Sequence, residues 1–222
     1  AVIELEKYFE KNNMPFCFGR VEESRLEELK LAFGDRIEIE YLDWASDYVY
    51  EVENLINLSG KKLRKKKNHI NQVLREYGSY EYVPIDDSNK NECRRIFEEW
   101  CAKNDLCIEG RNSCERLACY ELLNHWDVLD VKGALIKVNG RFEAFTIGEA
   151  LNFQTVVIHV EKGNSDVHGI YPIINRDFLA NEWKDMKYVN REEDMGIEGL
   201  RKSKLSYNPS LMVKKFLVKV SH

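Results

Sequence analysis

The sequence is poor in the residues and motifs that mark several protein classes. Only 4 Pro and 12 Gly occur among 222 residues, which excludes collagen-like and low-complexity architectures. The six cysteines form no C-x-x-C pair, so we predict no metal site. No apolar run approaches the roughly 20 residues of a membrane-spanning helix. No Walker loop, dinucleotide fingerprint or Ser-His-Asp nucleophile elbow is present.

The residues that are present indicate a folded and mildly acidic chain. Hydrophobic residues make up 44% and aromatic residues 11%, which is too much apolar material for a disordered protein. The formal net charge of −5 excludes a generally basic nucleic-acid-binding protein. The first residues lack the pattern of a secretory signal peptide, so we predict a cytoplasmic protein. Reduced thiols are then expected at Cys17, Cys93, Cys101, Cys107, Cys114 and Cys119.

Hydrophobic periodicity predicts the order of helices and strands. Residues 1–42 follow the order α-β-α-β, and an acidic, aromatic connection over residues 43–53 leads to a basic run. From Tyr82 the predicted order is β-α-α-β-β-β-α-β-α-β. It includes a helix over residues 112–126, a β-branched strand over residues 155–160 and a final strand over residues 211–220. Asn139-Gly140 predicts a type I′ hairpin turn, because that turn needs positive φ at both positions.

Six cations occur in seven residues of the basic run. On a helix they surround most of the axis, so several face the same way and create a local positive potential. The phosphates of a tRNA acceptor stem are one natural partner, and anionic lipid headgroups are another. The alternative is a solvated helix face whose charges pair with nearby acids. The six residues are Lys61, Lys62, Arg64, Lys65, Lys66 and Lys67.

Two segments carry a family resemblance: SGKKLRKKKNHIN at residues 59–71 and VNREEDMGIEGLRKSKLSYNP at residues 189–209. With the element order, they resemble the C-terminal catalytic domain of phosphatidylglycerol lysyltransferases and its small soluble relatives, which pair two GNAT lobes as Fem-type peptidyltransferases do. The resemblance implies an α/β (α+β), GNAT-like acyltransferase fold with two lobes in tandem. The first lobe would lack its early strands: residues 1–52 form its C-terminal part, residues 53–78 a basic connecting helix, and residues 79–222 a complete second lobe.

The resemblance also implies an aminoacyltransferase that needs no cofactor, takes its acyl group from aminoacyl-tRNA and passes it to an amine or hydroxyl. In the family an Asp-x-x-Arg pair lies on the strand before the long helix, where this chain has His159 and Lys162. His159 and Glu161 are two residues apart on that strand and would point to one face. His159 is the predicted general base, and Glu161 and Lys162 are its polar neighbours. The alternative is a solvent-exposed strand end.

The family closes with Lys-x-x-aromatic-x-Pro, which Lys204, Tyr207 and Pro209 match. Lys204 would stabilise an oxyanion or bind a donor phosphate. Tyr207 would protonate a leaving hydroxyl or only pack. Glu193 and Asp194 would bind a cationic aminoacyl group, pair with Lys204, or else favour the N-terminus of the short helix that follows them.

Two other functions remain open. An acyl-CoA-dependent N-acyltransferase would cradle a pyrophosphate on backbone amides at the start of a helix, but the loop over residues 163–169 lacks the usual glycine pattern and contains Asp166. The other is a non-catalytic RNA- or anion-binding protein on the same scaffold. The departures from the family pattern at His159 and Lys162 keep this second alternative open.

Overall fold

The computed structural model describes residues 2–104 and 115–221. The first part of the chain forms α1 (Val2–Lys11), β1 (Phe16–Glu22), α2 (Leu26–Phe33), β2 (Ile37–Tyr41), β3 (Asp47–Glu51), α3 (Val52–Asn57) and α4 (Gly60–Tyr77). The rest forms β4 (Tyr80–Pro84), α5 (Lys90–Asn104), α6 (Glu115–Asn124), β5 (Val131–Val138), β6 (Arg141–Asn152), β7 (Thr155–Gly163), α7 (Ile170–Glu182), β8 (Tyr188–Asn190), α8 (Glu198–Leu205), β9 (Leu211–Val213) and β10 (Lys215–Val220). The α/β class and the GNAT-like order of elements are therefore confirmed.

A few predicted elements differ from the observed ones. The connection over residues 43–53 contains β3, whose residues Asp47 to Tyr50 are all buried. A strand buried on both faces shows no alternation of apolar and polar residues, so periodicity does not reveal it. The predicted final strand is divided at Lys214 into β9 and β10. Residues 112–114 of the helix predicted over residues 112–126 lie outside the described residues.

The chain divides into two compact units. Unit 1 contains the residues up to Val49, residues 192–205 and the residues from Pro209 onward. Its three-stranded antiparallel sheet has the order β1-β10-β2, so the last strand of the sequence lies in the middle. Phe16, Phe33 and Val220 pack together as its small core.

Unit 2 contains Tyr50 to Arg191 and the short segment Ser206–Asn208. Its strands lie in the order β4-β5-β6-β7-β8. Neighbours are antiparallel as far as β7, whereas β7 and β8 are parallel and are joined through α7. The predicted hairpin turn joins β5 to β6, with φ of 49° at Asn139 and 81° at Gly140.

The prediction of reduced thiols holds for three of the four cysteines that the structure describes. Cys17, Cys93 and Cys119 are free thiols as predicted, whereas the prediction is wrong for Cys101, which forms a disulfide. Cys107 and Cys114 lie outside the described residues.

The two compact units are defined by contacts in space, whereas the division predicted over residues 1–52, 53–78 and 79–222 is defined by the order of helices and strands. Those lobes and their tandem arrangement stay predictions.

Candidate functional site

Strand β7 contains a β-bulge at the predicted general base. Ile158 lies opposite Gly148 of β6 and Val160 lies opposite Ile147, so β7 advances two residues where β6 advances one. The extra residue is His159. An inserted residue of this kind interrupts the alternation of side chains along a strand, and the two-residue spacing therefore does not decide the face of His159.

The bulge separates His159 from Glu161. The Nε2 atom of His159 lies 3.1 Å from Oε1 of Glu149, and Glu149 shares a face of β6 with Ile147. That face packs in the core with α5. Glu161 instead accepts a hydrogen bond of 3.1 Å from Asn175 on α7. The prediction that His159 and Glu161 share one face is therefore wrong.

Glu161 belongs to a mostly buried ion pair in unit 2. Its Oε1 atom lies 2.6 Å from an Nη atom of Arg191, and the two side chains are only 10% and 13% exposed. Burial opposes the charge of Arg191, but the carboxylate of Glu161 keeps the pKa of Arg191 above its ordinary value. The guanidinium also lies 4.8 Å from the ring centre of Tyr207 and 5.8 Å from that of Tyr50. Arg191 is therefore held charged in an aromatic setting.

Lys66 brings a second cation to Tyr207. It belongs to the basic run on α4, and its Nζ atom lies 3.9 Å from the centre of the Tyr207 ring. Burial, together with the charges of Arg191 and Lys65, lowers the pKa of Lys66 to about 8. Burial also raises the pKa of Tyr207, so its phenol is neutral at neutral pH. The structure thus brings together three of the predicted site residues, namely Glu161, Tyr207 and Lys66.

Lys162 lies on the side of the sheet that faces α5 and α6. Its Nζ atom is 2.8 Å from Oε2 of Glu115 and 3.9 Å from the centre of the Trp100 ring. Both contacts belong to the helices that cover the core, whereas Glu161 contacts α7. Lys162 and Glu161 are therefore not neighbours in one polar site.

Asp194 lies in unit 1 and is fully buried. It accepts hydrogen bonds from the Tyr48 hydroxyl (2.6 Å), the Gly196 amide (2.8 Å) and Arg201 (2.6 Å). Burial alone would raise its pKa, but these donors hold the pKa of Asp194 below its ordinary value. The carboxylate is thus ionised and has a full set of partners inside unit 1.

The other two predicted residues of unit 1 also have contacts there. Glu193 lies 2.8 Å from a guanidinium nitrogen of Arg20. The Nζ atom of the buried Lys204 lies 5.8 Å from the centre of the Tyr48 ring. Their roles in binding a cationic group and in stabilising an oxyanion stay predictions.

Four cations of α4 are exposed to solvent. Lys61, Arg64, Lys65 and Lys67 are exposed, and within residues 2–104 and 115–221 none of them forms a hydrogen bond or ion pair. Lys62 donates a hydrogen bond of 2.6 Å to the side chain of Asn208. A helix face paired with nearby acids does not fit this arrangement.

The start of α7 has little room for a pyrophosphate. Gly169 precedes this helix with a φ of +107°, and a Cβ atom there would lie only 2.5 Å from the carbonyl oxygen of His69 on α4. The backbone of α4 therefore packs closely against the residue that precedes α7, the helix whose start would have to bind a coenzyme phosphate. Asp166, in the same loop, pairs with Lys103 at 2.6 Å.

Unit 2 also contains a cavity. It has a volume of about 350 Å³ and is bordered by Tyr77, Arg141, Glu143 and Asp166. None of the predicted catalytic residues lines it. Among the described residues no group of three or more His, Cys, Asp or Glu side chains is placed to hold a metal ion.

Sequence reasoning missed Arg191 and Asn175, and it did not separate Lys66 from the other cations. Arg191 follows β8 within the segment 189–209 that carries the family resemblance, and Asn175 lies inside α7, but no spacing or charge pattern marks either residue as part of a site. The inward direction of Lys66, in contrast, could have been predicted from its spacing to neighbouring apolar residues. Lys66 occurs three residues after Leu63 and four before Ile70, so it shares the face of α4 on which those two residues are buried.

The chain matches the model of a family described as phosphatidylglycerol lysyltransferase, C-terminal, over residues 1–219. It is 34% identical to a conserved protein of unknown function from Bacteroides thetaiotaomicron, with a TM-score of 0.92, over 99% of this chain and 74% of that one. The C-terminal domain of a putative lysylphosphatidylglycerol synthetase from Agrobacterium fabrum has the same fold. Its TM-score is 0.74 at 13% identity, over 98% of this chain and 71% of that one.

A curated relative is considerably longer than the part matched here. An uncharacterized protein of Mycoplasmoides gallisepticum is 25% identical over 79% of this chain, and the match covers 56% of that protein. Within the described residues, no helix combines the length and the apolar character that crossing a bilayer requires.

Proposed function

The chain belongs to the phosphatidylglycerol lysyltransferase C-terminal family, and from this membership we propose that it transfers an aminoacyl group from aminoacyl-tRNA to an amine or hydroxyl acceptor. An aminoacyltransferase-like role is what the family supports. The nature of the donor and of the acceptor belongs to the proposal. An anionic lipid headgroup is one acceptor, and a small soluble amine or alcohol is the other.

The proposal of a tRNA donor rests on the exposed cations of α4 that have no partner within the described residues. The whole chain has 38 acidic against 33 basic residues, so acids are available to pair with exposed lysines. Arg95, Arg141 and Lys219, for example, all pair with glutamates. The exposed residues Lys61, Arg64, Lys65 and Lys67 do not, within the described chain. A row of unneutralised cations on one helix is suited to the regularly spaced phosphates of a nucleic acid.

The reaction requires one bond to form and one to break. The acceptor nitrogen or oxygen attacks the ester carbonyl carbon, its bond to that carbon forms, and the bond to the ribose oxygen of the tRNA breaks. His159 takes the proton from the acceptor and returns it to the ribose oxygen. Glu149, 3.1 Å away, stabilises the intermediate imidazolium.

The acyl-CoA alternative has less support, because α4 packs against the start of α7 at Gly169. The non-catalytic alternative shares the cations of α4 with the main proposal. Only a measurement of turnover distinguishes these functions.

The test is donor consumption by the full chain. A panel of charged tRNAs and a panel of acyl-CoAs are each incubated with phosphatidylglycerol vesicles or with small amines. We expect an aminoacyl-tRNA to be consumed and its amino acid to appear on one acceptor. His159→Ala should lower kcat by about 10²–10⁴-fold, and the exposed His125→Ala serves as the matched control. Consumption of acyl-CoA alone would contradict the proposal, and salt-sensitive tRNA binding without turnover would favour the binding protein.

A further inference from the structure

The side chain of Lys66 points in a different direction from those of the other five cations of the basic run. Leu63, Ile70 and Val73 form the buried face of α4, and Lys66 lies between the first two on that face. The side chains of Lys61, Lys62, Arg64, Lys65 and Lys67 are exposed, whereas Lys66 is partly buried. One member of the run therefore points inward while its neighbours point to solvent.

The inward cation has no acid partner of its own. Within the described residues, Lys66 makes no hydrogen bond or ion pair with a carboxylate, and its contact is the Tyr207 ring at 3.9 Å. Arg191 contacts the same ring, but its charge is balanced by Glu161 at 2.6 Å. Two cations thus share one carboxylate. A partly buried ammonium without a counter-charge is unfavourable, so the cluster is suited to an added anion.

We propose that Lys66, with Arg191 across the Tyr207 ring, forms a binding site for one phosphate group, the terminal phosphodiester of the donor tRNA. This assignment rests on the proposed function. The exposed cations on the same helix lead up to Lys66, which suits a polyanion whose earlier phosphates contact them and whose last phosphate turns inward. His69, one turn further along α4, is partly buried and would be a second donor to this group.

The lowered pKa of Lys66 supports the site and supplies a probe for it. At pH 7.5 an amine with a pKa of about 8 is about one quarter unprotonated, against about 0.1% for an ordinary lysine. Trace acetylation followed by peptide mass spectrometry should therefore label Lys66 in the free protein. A bound phosphate would restore the charge of Lys66 and shield it.

The experiment compares two probes, the trinucleotide CCA and glycerophosphoglycerol. At about ten times its Kd, CCA should reduce labelling of Lys66 about tenfold and leave Lys7, an exposed lysine on α1, unchanged. No protection by CCA would overturn the proposal. Protection by glycerophosphoglycerol but not by CCA would also overturn it, because the site would then belong to a lipid phosphate.

A kinetic measurement separates this site from the proposed function as a whole. In donor-consumption assays Lys66→Met should raise KM for the charged tRNA about tenfold and change kcat less, and Lys66→Arg should restore most of the affinity because it keeps the charge. Lys7→Met is the control. An unchanged KM in Lys66→Met would overturn the phosphate site and leave the transfer reaction standing. If the wild-type chain consumes no charged tRNA, the proposed function fails, while protection by CCA still reports on the site.

Discussion

The pair Asp194–Arg201 in unit 1 and the pair Glu161–Arg191 in unit 2 differ in their balance of charge. In unit 1, Asp194 accepts hydrogen bonds from Tyr48, Gly196 and Arg201, and Arg201 also lies 2.8 Å from Asp43. Two carboxylates thus share one guanidinium. In unit 2 two cations, Arg191 and Lys66, lie against the Tyr207 ring, and the carboxylate of Glu161 pairs with Arg191 and also acts on the charge of Lys66.

This difference distinguishes a cluster that stabilises the fold from one that can bind a ligand. The partners of Asp194 are all supplied by the protein, and an added anion would be repelled by its two carboxylates. The cluster around Glu161 has a positive charge left over. Buried ion pairs by themselves say little about function, whereas the sign of the uncompensated charge indicates what a site can bind.

The largest expected effect comes from removing the guanidinium of unit 2. Arg191→Met should lower the free energy of unfolding by about 3–5 kcal/mol, because it leaves the carboxylate of Glu161 buried without its charged partner. Denaturant unfolding measures the loss. The double variant Arg191→Met with Glu161→Gln should recover part of it, and equal losses in the single and double variants would contradict the assigned pairing.

The corresponding change in unit 1 should be smaller. Tyr48→Phe removes one hydrogen bond of 2.6 Å to Asp194 but leaves the donors from Gly196 and Arg201 in place. A loss of about 1–2 kcal/mol is expected in the same measurement. A loss larger than that of Arg191→Met would show that the cluster of unit 1 is the more dependent on a single partner.

The third prediction concerns pH. The pKa of Lys66 is lowered to about 8 in the folded chain and is about 10.4 in an unfolded one. Below pH 8 both states carry the charge and its cost is fully present, so Lys66→Met should be more stable than wild type by about 1 kcal/mol at pH 7, after allowance for partial solvent screening. Between pH 8 and 10 the folded state alone loses the proton, and this difference should shrink.

A difference that stays constant from pH 7 to pH 10 would contradict the lowered pKa of Lys66. Titration of the neighbouring groups does not explain a change in this stability difference between pH 8 and pH 10, because the pKa of Tyr207 is raised and that of His69 is lowered. The groups that act on Lys66 are Arg191, Lys65, Glu161, Tyr207 and His69.

The smallest effect on stability is expected at the exposed cations. Lys65→Gln with Lys67→Gln should change the free energy of unfolding by less than about 0.5 kcal/mol. The same pair should reduce the slope of log affinity for tRNA against log salt by about 1 for each cation removed. Lys7→Gln with Lys11→Gln, on α1, makes the same charge change in the control. Equal slopes for both double variants would return the run to a merely solvated helix face.

Local signals predicted most of the fold. The Asn139-Gly140 turn has a backbone requirement that few residue pairs meet, and it lies where the sequence placed it. The basic run lies on α4, and the buried positions of that helix follow the helical period. Strand β3 was missed because both of its faces are buried, so its residues do not alternate.

The candidate site was harder to predict because it depends on contacts between distant residues. The bulge at His159 results from the register of β7 against β6, which no spacing within β7 reveals. Arg191 is important because Glu161 and Tyr207 are near it in space. The inward direction of Lys66 was available from the period of Leu63 and Ile70 but was hidden by the uniform charge of the run.

The central position of β10 has a consequence for synthesis on the ribosome. β1 and β2 do not pair with each other but with the two edges of β10. About 170 residues separate β2 from β10 along the chain, so both early strands are translated long before their partner. Pairings this distant in sequence form slowly. The nascent chain therefore exposes β1 and β2 without their partner until β10 leaves the ribosome. Chaperones would bind the chain mainly at this stage, because unpaired strands are prone to aggregate.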